Sequence, residues 1–280
     1  MAVITARELL DEARRTLAGM APDAERSPRE ADWLFASVTG MDSAAVIARP
    51  DDLISAERVD RLRSLLARRT TGEPLQYLIG DVQFWGRRFA TDQRALIPRQ
   101  ETETLVAAAL TAIPPDQPCR VAELGTGSGA VVVTIALERP RARLIATDIS
   151  AEALELAQHN ADVWSVLGRI EMRQGNLTEP LDAPVDVLVF NPPYVPSVAL
   201  GAIQRELAYE PRQALDGGAD GLDMYRRLGQ TWRDVVRPSG WLFVEVGAGQ
   251  HLAAAEILGA SDAKLWDDYR GIVRVVGTTH

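Results

Sequence analysis

The sequence predicts an α/β protein, an open and mostly parallel sheet preceded by a small all-helical N-terminal domain and a β-hairpin linker. Three observations predict it. Apolar runs near residues 119–124, 142–147, 185–190 and 241–246 alternate with helical stretches at 102–112, 129–138 and 151–161, the order of βα units. A glycine-rich run joins the first of these strands to its helix. Ahead of them, residues 1–75 carry apolar positions at helical spacing.

Taken in order, residues 6–18, 27–39 and 55–69 have the period of amphipathic helices and form the domain over 1–75. From Gly72 to Pro98 that period breaks, and strand-like pieces around Gly80 and Gly86 suggest a hairpin. Residues 76–98 therefore read as the linker, and 99–280 as the α/β domain. Within it, Arg169 to Arg173 is a further strand candidate, and AKLWDDYRGIVRVVG over 263–277 closes the chain with a hairpin or edge strands.

A chain of 280 residues suits one large or two medium domains, and 46% hydrophobic with 25% charged residues is the make-up of an ordinary globular protein. No run of about 18 apolar residues occurs, and the opening MAVITARELLDEARRTLAG carries acids and arginines too early for a signal peptide, so a cytoplasmic protein is expected. Cys119 is the sole cysteine, which excludes an intrachain disulfide and a cysteine-cluster metal site, and its apolar setting suggests an inert thiol. His159, His251 and His280 lack ligand spacing, so no metal is expected. A net charge of −9 argues against gripping free nucleic acid through its phosphates. The grouped Arg61, Arg63, Arg68 and Arg69 read as a solvated helix face.

The segment VAELGTGSGA, Val121 to Ala130, follows a strand and opens a helix, where backbone N–H groups and the helix dipole favour a ligand. Gly125, Gly127 and Gly129 permit a backbone approach that a Cβ would block. With Ala130 in last place the run also fits a dinucleotide fingerprint, so NAD stays open on this motif. One strand later Asp148 ends RLIATD, where a carboxylate can accept from both ribose hydroxyls; the competing reading is an N-cap, a job Ser150 could also take. NAD and S-adenosylmethionine both offer that ribose. Glu123 could meet a cationic amino group or pair with backbone amides. Asn176, in QGNL, could read an adenine edge or form a turn.

The stretch VLVFNPPYV, Val187 to Val195, runs a buried strand straight into Asn191, two prolines and Tyr194. An asparagine oxygen and a nearby carbonyl can accept both hydrogens of one planar NH2 group and draw its lone pair out of conjugation. Prolines hold the acceptors still, and a tyrosine ring can stack on the flat group that carries the nitrogen. Elsewhere such a segment would be a mere turn after a strand, but ligands collect at the carboxyl ends of parallel strands.

Together GEPLQYLIG, LIPRQETETLV, ELGTGSG, TDIS, FNPPYVP, EPRQALDGGADGLDMYRRL and GWLFVEVGAGQ, spread from Gly72 to Gln250, resemble the release factor glutamine methyltransferases, the PrmC/HemK family. The resemblance implies a Rossmann-like class I methyltransferase domain. It also implies methyl transfer from S-adenosylmethionine, with S-adenosylhomocysteine as product, to the N5 amide of the glutamine in the Gly-Gly-Gln motif of peptide chain release factors. By similarity Glu123, Gly125, Thr126, Gly127, Ser128, Gly129, Asp148 and Asn176 hold the cofactor. Asn191, Pro192, Pro193 and Tyr194 hold the glutamine amide, with the Asn191 side chain and the Pro192 carbonyl as acceptors, Tyr194 as stacking wall, and Asn191 between the two ligands. The helical domain docks the release factor, and a monomer without metal, membrane or stable nucleic-acid binding is expected.

The chain departs from the family's pattern at Glu123, more often Asp, at Gln100, where proline is usual, and at its DDYRGIVRVV end. Arg99 to Glu103 would line the cofactor pocket, although Glu101 and Glu103 are equally explained as first-turn carboxylates. An amino-methyltransferase of adenine or guanine in DNA or RNA would share NPPY but want a basic groove. An NAD-dependent oxidoreductase would leave NPPY idle, and Lys264, the chain's single lysine, lies far from every motif.

Overall fold

The computed structural model describes residues 4–19, 27–201 and 205–280, and the chain divides into two compact units. The first comprises Met1–Gly80 with Gln204–Tyr209. Its helices are α1 (Ala6–Leu17), α2 (Ser27–Thr39), α3 (Ser43–Ala48), α4 (Ala56–Thr70) and α5 (Leu75–Ile79), and the short strands β1 (Ile4–Thr5) and β2 (Leu53–Ile54) pair antiparallel. Thr5 and Glu8 form a capping box on α1, Asp42 caps α3 and Ser55 caps α4, each side chain accepting from an N–H that the helix leaves unpaired. Leu9, Leu34, Phe35 and Leu62 share the core.

The arginines of α4 are not a uniform solvated face. Arg69 is only 4% exposed, and its guanidinium is held between Glu30 and Glu206. A buried cation persists only with such partners. Arg63 and Arg68 likewise pair with Glu12 and Glu73, although their side chains remain about half exposed.

The second unit, Asp81–Ile203 with Glu210–His280, begins with the hairpin β3 (Asp81–Phe84) and β4 (Arg87–Ala90). Trp85 and Gly86 both have positive φ, +53° and +70°, as a two-residue turn between right-twisted strands requires. Trp85 tolerates this because its backbone N–H donates to Glu103 and its indole to Glu138. Residues 76–98, expected to be a connector, are thus divided. Leu75–Ile79 is a helix of the first unit, while Phe84 and Phe89 of the hairpin lie fully buried in a core of the second.

Then follow α6 (Glu103–Leu110), β5 (Cys119–Leu124), α7 (Ala130–Glu138), β6 (Ala142–Asp148), α8 (Ala151–Val163), β7 (Ile170–Gln174) and β8 (Val185–Phe190). The chain ends with α9 (Asp223–Gly229), α10 (Trp232–Val235), β9 (Val236–Glu245), α11 (His251–Ile257), β10 (Lys264–Asp267) and β11 (Val273–Thr279). The seven-stranded sheet runs β10-β11-β9-β8-β5-β6-β7, parallel from β9 to β7, with β11 and β10 added antiparallel at one edge. This is a Rossmann-like α/β core. The strands from β5 to β7 build outward on one side and the chain then returns to lay β8 against β5, opening a crevice at their carboxyl ends. Leu124 lies opposite Phe190, and Phe190 opposite Val244, so the glycine run, NPPY and the end of β9 emerge side by side.

Candidate active site

A cavity of about 260 Å³ opens at this crevice. Gly125, Gly127 and Gly129 all take left-handed φ, +60°, +55° and +80°. The first and second border the cavity, with 3.4 Å or more between an added Cβ and its nearest neighbour. Gly129 does a different job. A Cβ there would stand 2.9 Å from that of Ala157, so this glycine lets the loop close onto α8 and is no part of the cavity wall.

Below the loop, Glu123 is 3% exposed; its Oε2 accepts from the Thr126 hydroxyl at 2.6 Å and from the Val132 N–H at 3.0 Å. Burial pushes its carboxyl up to about 8 in spite of those two donors, and the nearby Asp148 adds to the rise. Asp148 accepts from the N–H groups of Gly127 and Ser150, both at 2.9 Å, and burial raises it as well. Ser150, not Asp148, caps α8, since its hydroxyl accepts from the Ala153 N–H. Asp148 borders the cavity. Thr126 and Ser128 are buried, and the Thr126 N–H holds the loop to Thr147 of β6.

Asn176 borders the cavity, but its side chain is engaged at both ends: Nδ2 donates to Glu179 at 3.2 Å and Oδ1 accepts from Arg227 at 2.9 Å. Sequence reasoning missed Asn160 on α8, 1% exposed, which accepts from the Ala90 N–H and donates to the Ala90 and Ser128 carbonyls. It ties the hairpin to the glycine loop. A polar residue on the inward side of ALELAQHNA was the available signal.

Asn191 leaves β8 at the cavity edge, and its Nδ2 donates to the Thr102 hydroxyl at 3.2 Å. Its Oδ1 is thereby the end free to accept. Pro193 borders the cavity too, whereas Pro192 is buried behind it. Tyr194, expected as a stacking wall, does not line the cavity. Its ring packs with the core beside Tyr225 and Val246, its hydroxyl donates to Glu245 at 3.3 Å, and burial raises its pKa. Its carbonyl accepts from Gln250, and a Cβ on Gly221 would stand 2.3 Å from that oxygen, so the GGADG loop presses directly on the NPPY backbone.

Cys119, as its setting suggested, is buried, and desolvation raises its thiol to about 12. Among the described residues no His, Cys, Asp or Glu cluster is placed to hold a metal, and no helix is long and apolar enough to cross a membrane.

Residues 8–80 match the family model for the PrmC N-terminal domain, and residues 102–220 that for the methyltransferase small domain. The release factor glutamine methyltransferase of Geobacter sulfurreducens is 38% identical over 278 residues, 98% of this chain and 96% of its own. That of Moorella thermoacetica is 38% identical over 273 residues, 96% of each. The chain belongs to the release factor glutamine methyltransferases. A methyltransferase from Pyrococcus furiosus shares the fold at 14% identity, with a TM-score of 0.51 over 80% of this chain and 98% of that one.

As a release factor glutamine methyltransferase the chain uses S-adenosylmethionine, and its own residues fit that cofactor. A buried acid, Glu123, at the cavity wall suits a cationic amino group, the Asp148 carboxylate suits ribose hydroxyls, and the backbone at Gly125 and Gly127 is bare of side chain.

Proposed function

We propose that the chain methylates the side-chain amide nitrogen of the glutamine in the Gly-Gly-Gln motif of peptide chain release factors, in the cytoplasm, and that Asn191 orients that amide. One observation carries the reading: Asn191 stands at the carboxyl end of β8 beside the cofactor cavity, with Nδ2 committed to Thr102 and Oδ1 left to accept. S-adenosylmethionine supplies a methyl carbon already activated by the sulfonium charge. An amide nitrogen is a poor nucleophile because its lone pair is conjugated with its carbonyl. Asn191 Oδ1 and the Pro192 carbonyl accept its two hydrogens, concentrate electron density on the nitrogen and hold its lone pair toward the cavity. Asp148, Glu123 and the Gly125–Gly127 backbone keep the donor in place. Pro192 and Pro193 fix φ on both sides of the acceptor carbonyl, so little reorganisation accompanies the reaction.

For the first unit, the exposed Trp33, Ile47 and Leu53 support a docking role toward the release factor. The whole reading is tested with labelled S-adenosylmethionine and a release factor, beside its Gly-Gly-Gln Gln→Ala variant and naked DNA and RNA. Label on the wild-type factor and none on the variant is expected. Label confined to nucleic acid, or label on the Gln→Ala variant, overturns it.

A further inference from the structure

The NPPY turn that leaves β8 contains Pro192 and Pro193, so two of the backbone N–H groups that would ordinarily tie a turn down are missing. Its far end is tied from outside. The Tyr194 carbonyl accepts from Gln250 Nε2 at 3.1 Å, and Gln250 Oε1 accepts from the Gly247 N–H at 3.0 Å. Tyr194 lies just beyond β8 and Gly247 just beyond β9, parallel neighbours whose Phe190 and Val244 are register partners. A single side-chain amide therefore staples the exits of two adjoining strands. Past the staple, the Val195 N–H donates to the Leu215 carbonyl and the Val195 carbonyl accepts from the Gly217 N–H, both at 2.9 Å, so the chain leaving the turn is fixed as well.

The surroundings leave room for this amide and little else. A Cβ on Gly247 would stand 2.5 Å from Gln250 Oε1, and one on Gly221 would stand 2.7 Å from Gln250 Nε2. The amide has one workable orientation, because the Gly247 N–H can only donate and the Tyr194 carbonyl can only accept. Glutamine satisfies both partners, whereas a carboxylate of the same length satisfies one and sets its second oxygen against the Tyr194 carbonyl. Asn191 and Pro193 border the cofactor cavity and Gln250 does not, so any effect of Gln250 on the reaction passes through the turn.

We propose that Gln250 is a positioning residue for methyl transfer, locking the far end of the NPPY turn to the exit of β9 and so holding the Asn191 side chain and the Pro192 carbonyl where they meet the substrate amide. The inference rests on the roles of Asn191 and Pro192 proposed above. Without the staple, the turn is anchored by β8 at one end only, and the two acceptors no longer keep a fixed spacing from the methyl donor. A misplacement of about 1 Å is enough to cost roughly a hundredfold in rate.

The test compares Gln250→Ala, Gln250→Glu and Asn191→Ala with the wild type, each assayed for release-factor methylation, for S-adenosylmethionine binding by calorimetry, and for Tm. No label from the wild type overturns the proposed function and this inference with it, and full kcat in Asn191→Ala removes the role on which the inference stands. With both in place, Gln250→Ala should lower kcat about tenfold or more and keep the cofactor Kd within about twofold. Its loss and that of Asn191→Ala should be less than additive in the double variant, because both remove the same alignment. Gln250→Glu carries a further signature. Ionised, it faces the Tyr194 carbonyl with a lone pair; protonated, it can donate there again, so its folded carboxyl is raised above the ordinary glutamate value. The neutral form is the competent one, so its kcat should approach that of the wild type near about pH 5.5 and fall to that of Gln250→Ala by about pH 8.

The ionisable groups at this corner are Tyr194 with Glu245 of β9, Asp223 of α9, whose N–H meets the Gly217 carbonyl, Arg274 of β11, whose carbonyl meets the Val246 N–H, and the adjoining His251. Gln250→Ala retains all of them, so the ratio of the two variants isolates the new carboxyl. Full kcat in Gln250→Ala, a fall in Tm with kcat unchanged, a cofactor Kd weakened as much as kcat, or fully additive losses with Asn191→Ala overturns the inference while leaving the function standing. Should Gln250→Ala fail to fold, the pH profile of Gln250→Glu against the wild type decides, and parallel profiles overturn it.

Discussion

Alanine at Gly129 would place a Cβ 2.9 Å from Ala157 Cβ, 3.0 Å from its Cα and 3.3 Å from its carbonyl oxygen. Two of the three are backbone atoms of α8, so the start of α7 and the middle of α8 would have to part. Forcing a side chain into φ +80° costs about 1–2 kcal/mol, and overpacking of this kind about 1–3 kcal/mol. The sum is a loss of about 2–5 kcal/mol. Gly127→Ala carries the conformational cost alone, about 1–2 kcal/mol, because its nearest neighbour, Ala95 Cβ, lies at 3.7 Å. Its added methyl instead intrudes on the cofactor's wall. Urea unfolding and cofactor calorimetry on both variants should therefore dissociate: Gly129→Ala mainly loses stability, and Gly127→Ala mainly loses affinity, by roughly tenfold or more. Equal stability losses in the two, or a stable Gly129→Ala with weakened binding, would refute the division of labour within the loop.

Asn191→Ala should cut kcat roughly 10²- to 10³-fold while leaving cofactor affinity within a few-fold, read by single-turnover kinetics and calorimetry. Asn160→Leu strands Ala90 N–H and the Ala90 and Ser128 carbonyls, so unfolding should show a loss of about 2–5 kcal/mol together with weaker cofactor binding. Glu123, raised from 4.5 to about 8, binds its proton more tightly when folded. Its favourable contribution is complete below the unfolded value and lost as pH rises through the folded one. Glu123→Gln should then match the wild type near pH 4 and exceed it in stability at pH 9, measured by denaturant titration without cofactor. Trp33→Ala should raise KM for the release factor with Tm unchanged.

The parallel core was legible because β5, β6 and β8 are mostly buried and carry apolar stretches such as residues 144–146 and 187–190, while α7 and α8 carry helical patterns. The short helices α9 to α11 were not, since four to seven residues carry too little periodicity. The early start of β9 at Val236 was masked by Pro238 and Gly240, residues that ordinarily end a strand. Asn191, Asp148 and the glycines were visible as motifs, but their division of labour was not. That Gly129 serves Ala157 depends on a contact between segments far apart in sequence, and that Tyr194 turns from the cavity depends on Glu245, which looks in isolation like the polar end of a strand. Thr102 was hidden between Glu101 and Glu103, whose charges drew the reading toward helix capping.

The clasp of Asn160 on Ala90 has a practical corollary for dissecting the enzyme. Phe84 contributes to the wall of the cofactor cavity, and the hairpin that carries it is locked to α8 by bonds in both directions. A fragment starting at Arg99 would keep the glycine loop, Asp148 and NPPY yet lack one side of its own cofactor chamber, with the apolar surface beneath Phe84 and Phe89 laid bare to water. A fragment that keeps the cofactor cavity whole must therefore include the hairpin from Asp81 onward, well ahead of the glycine loop.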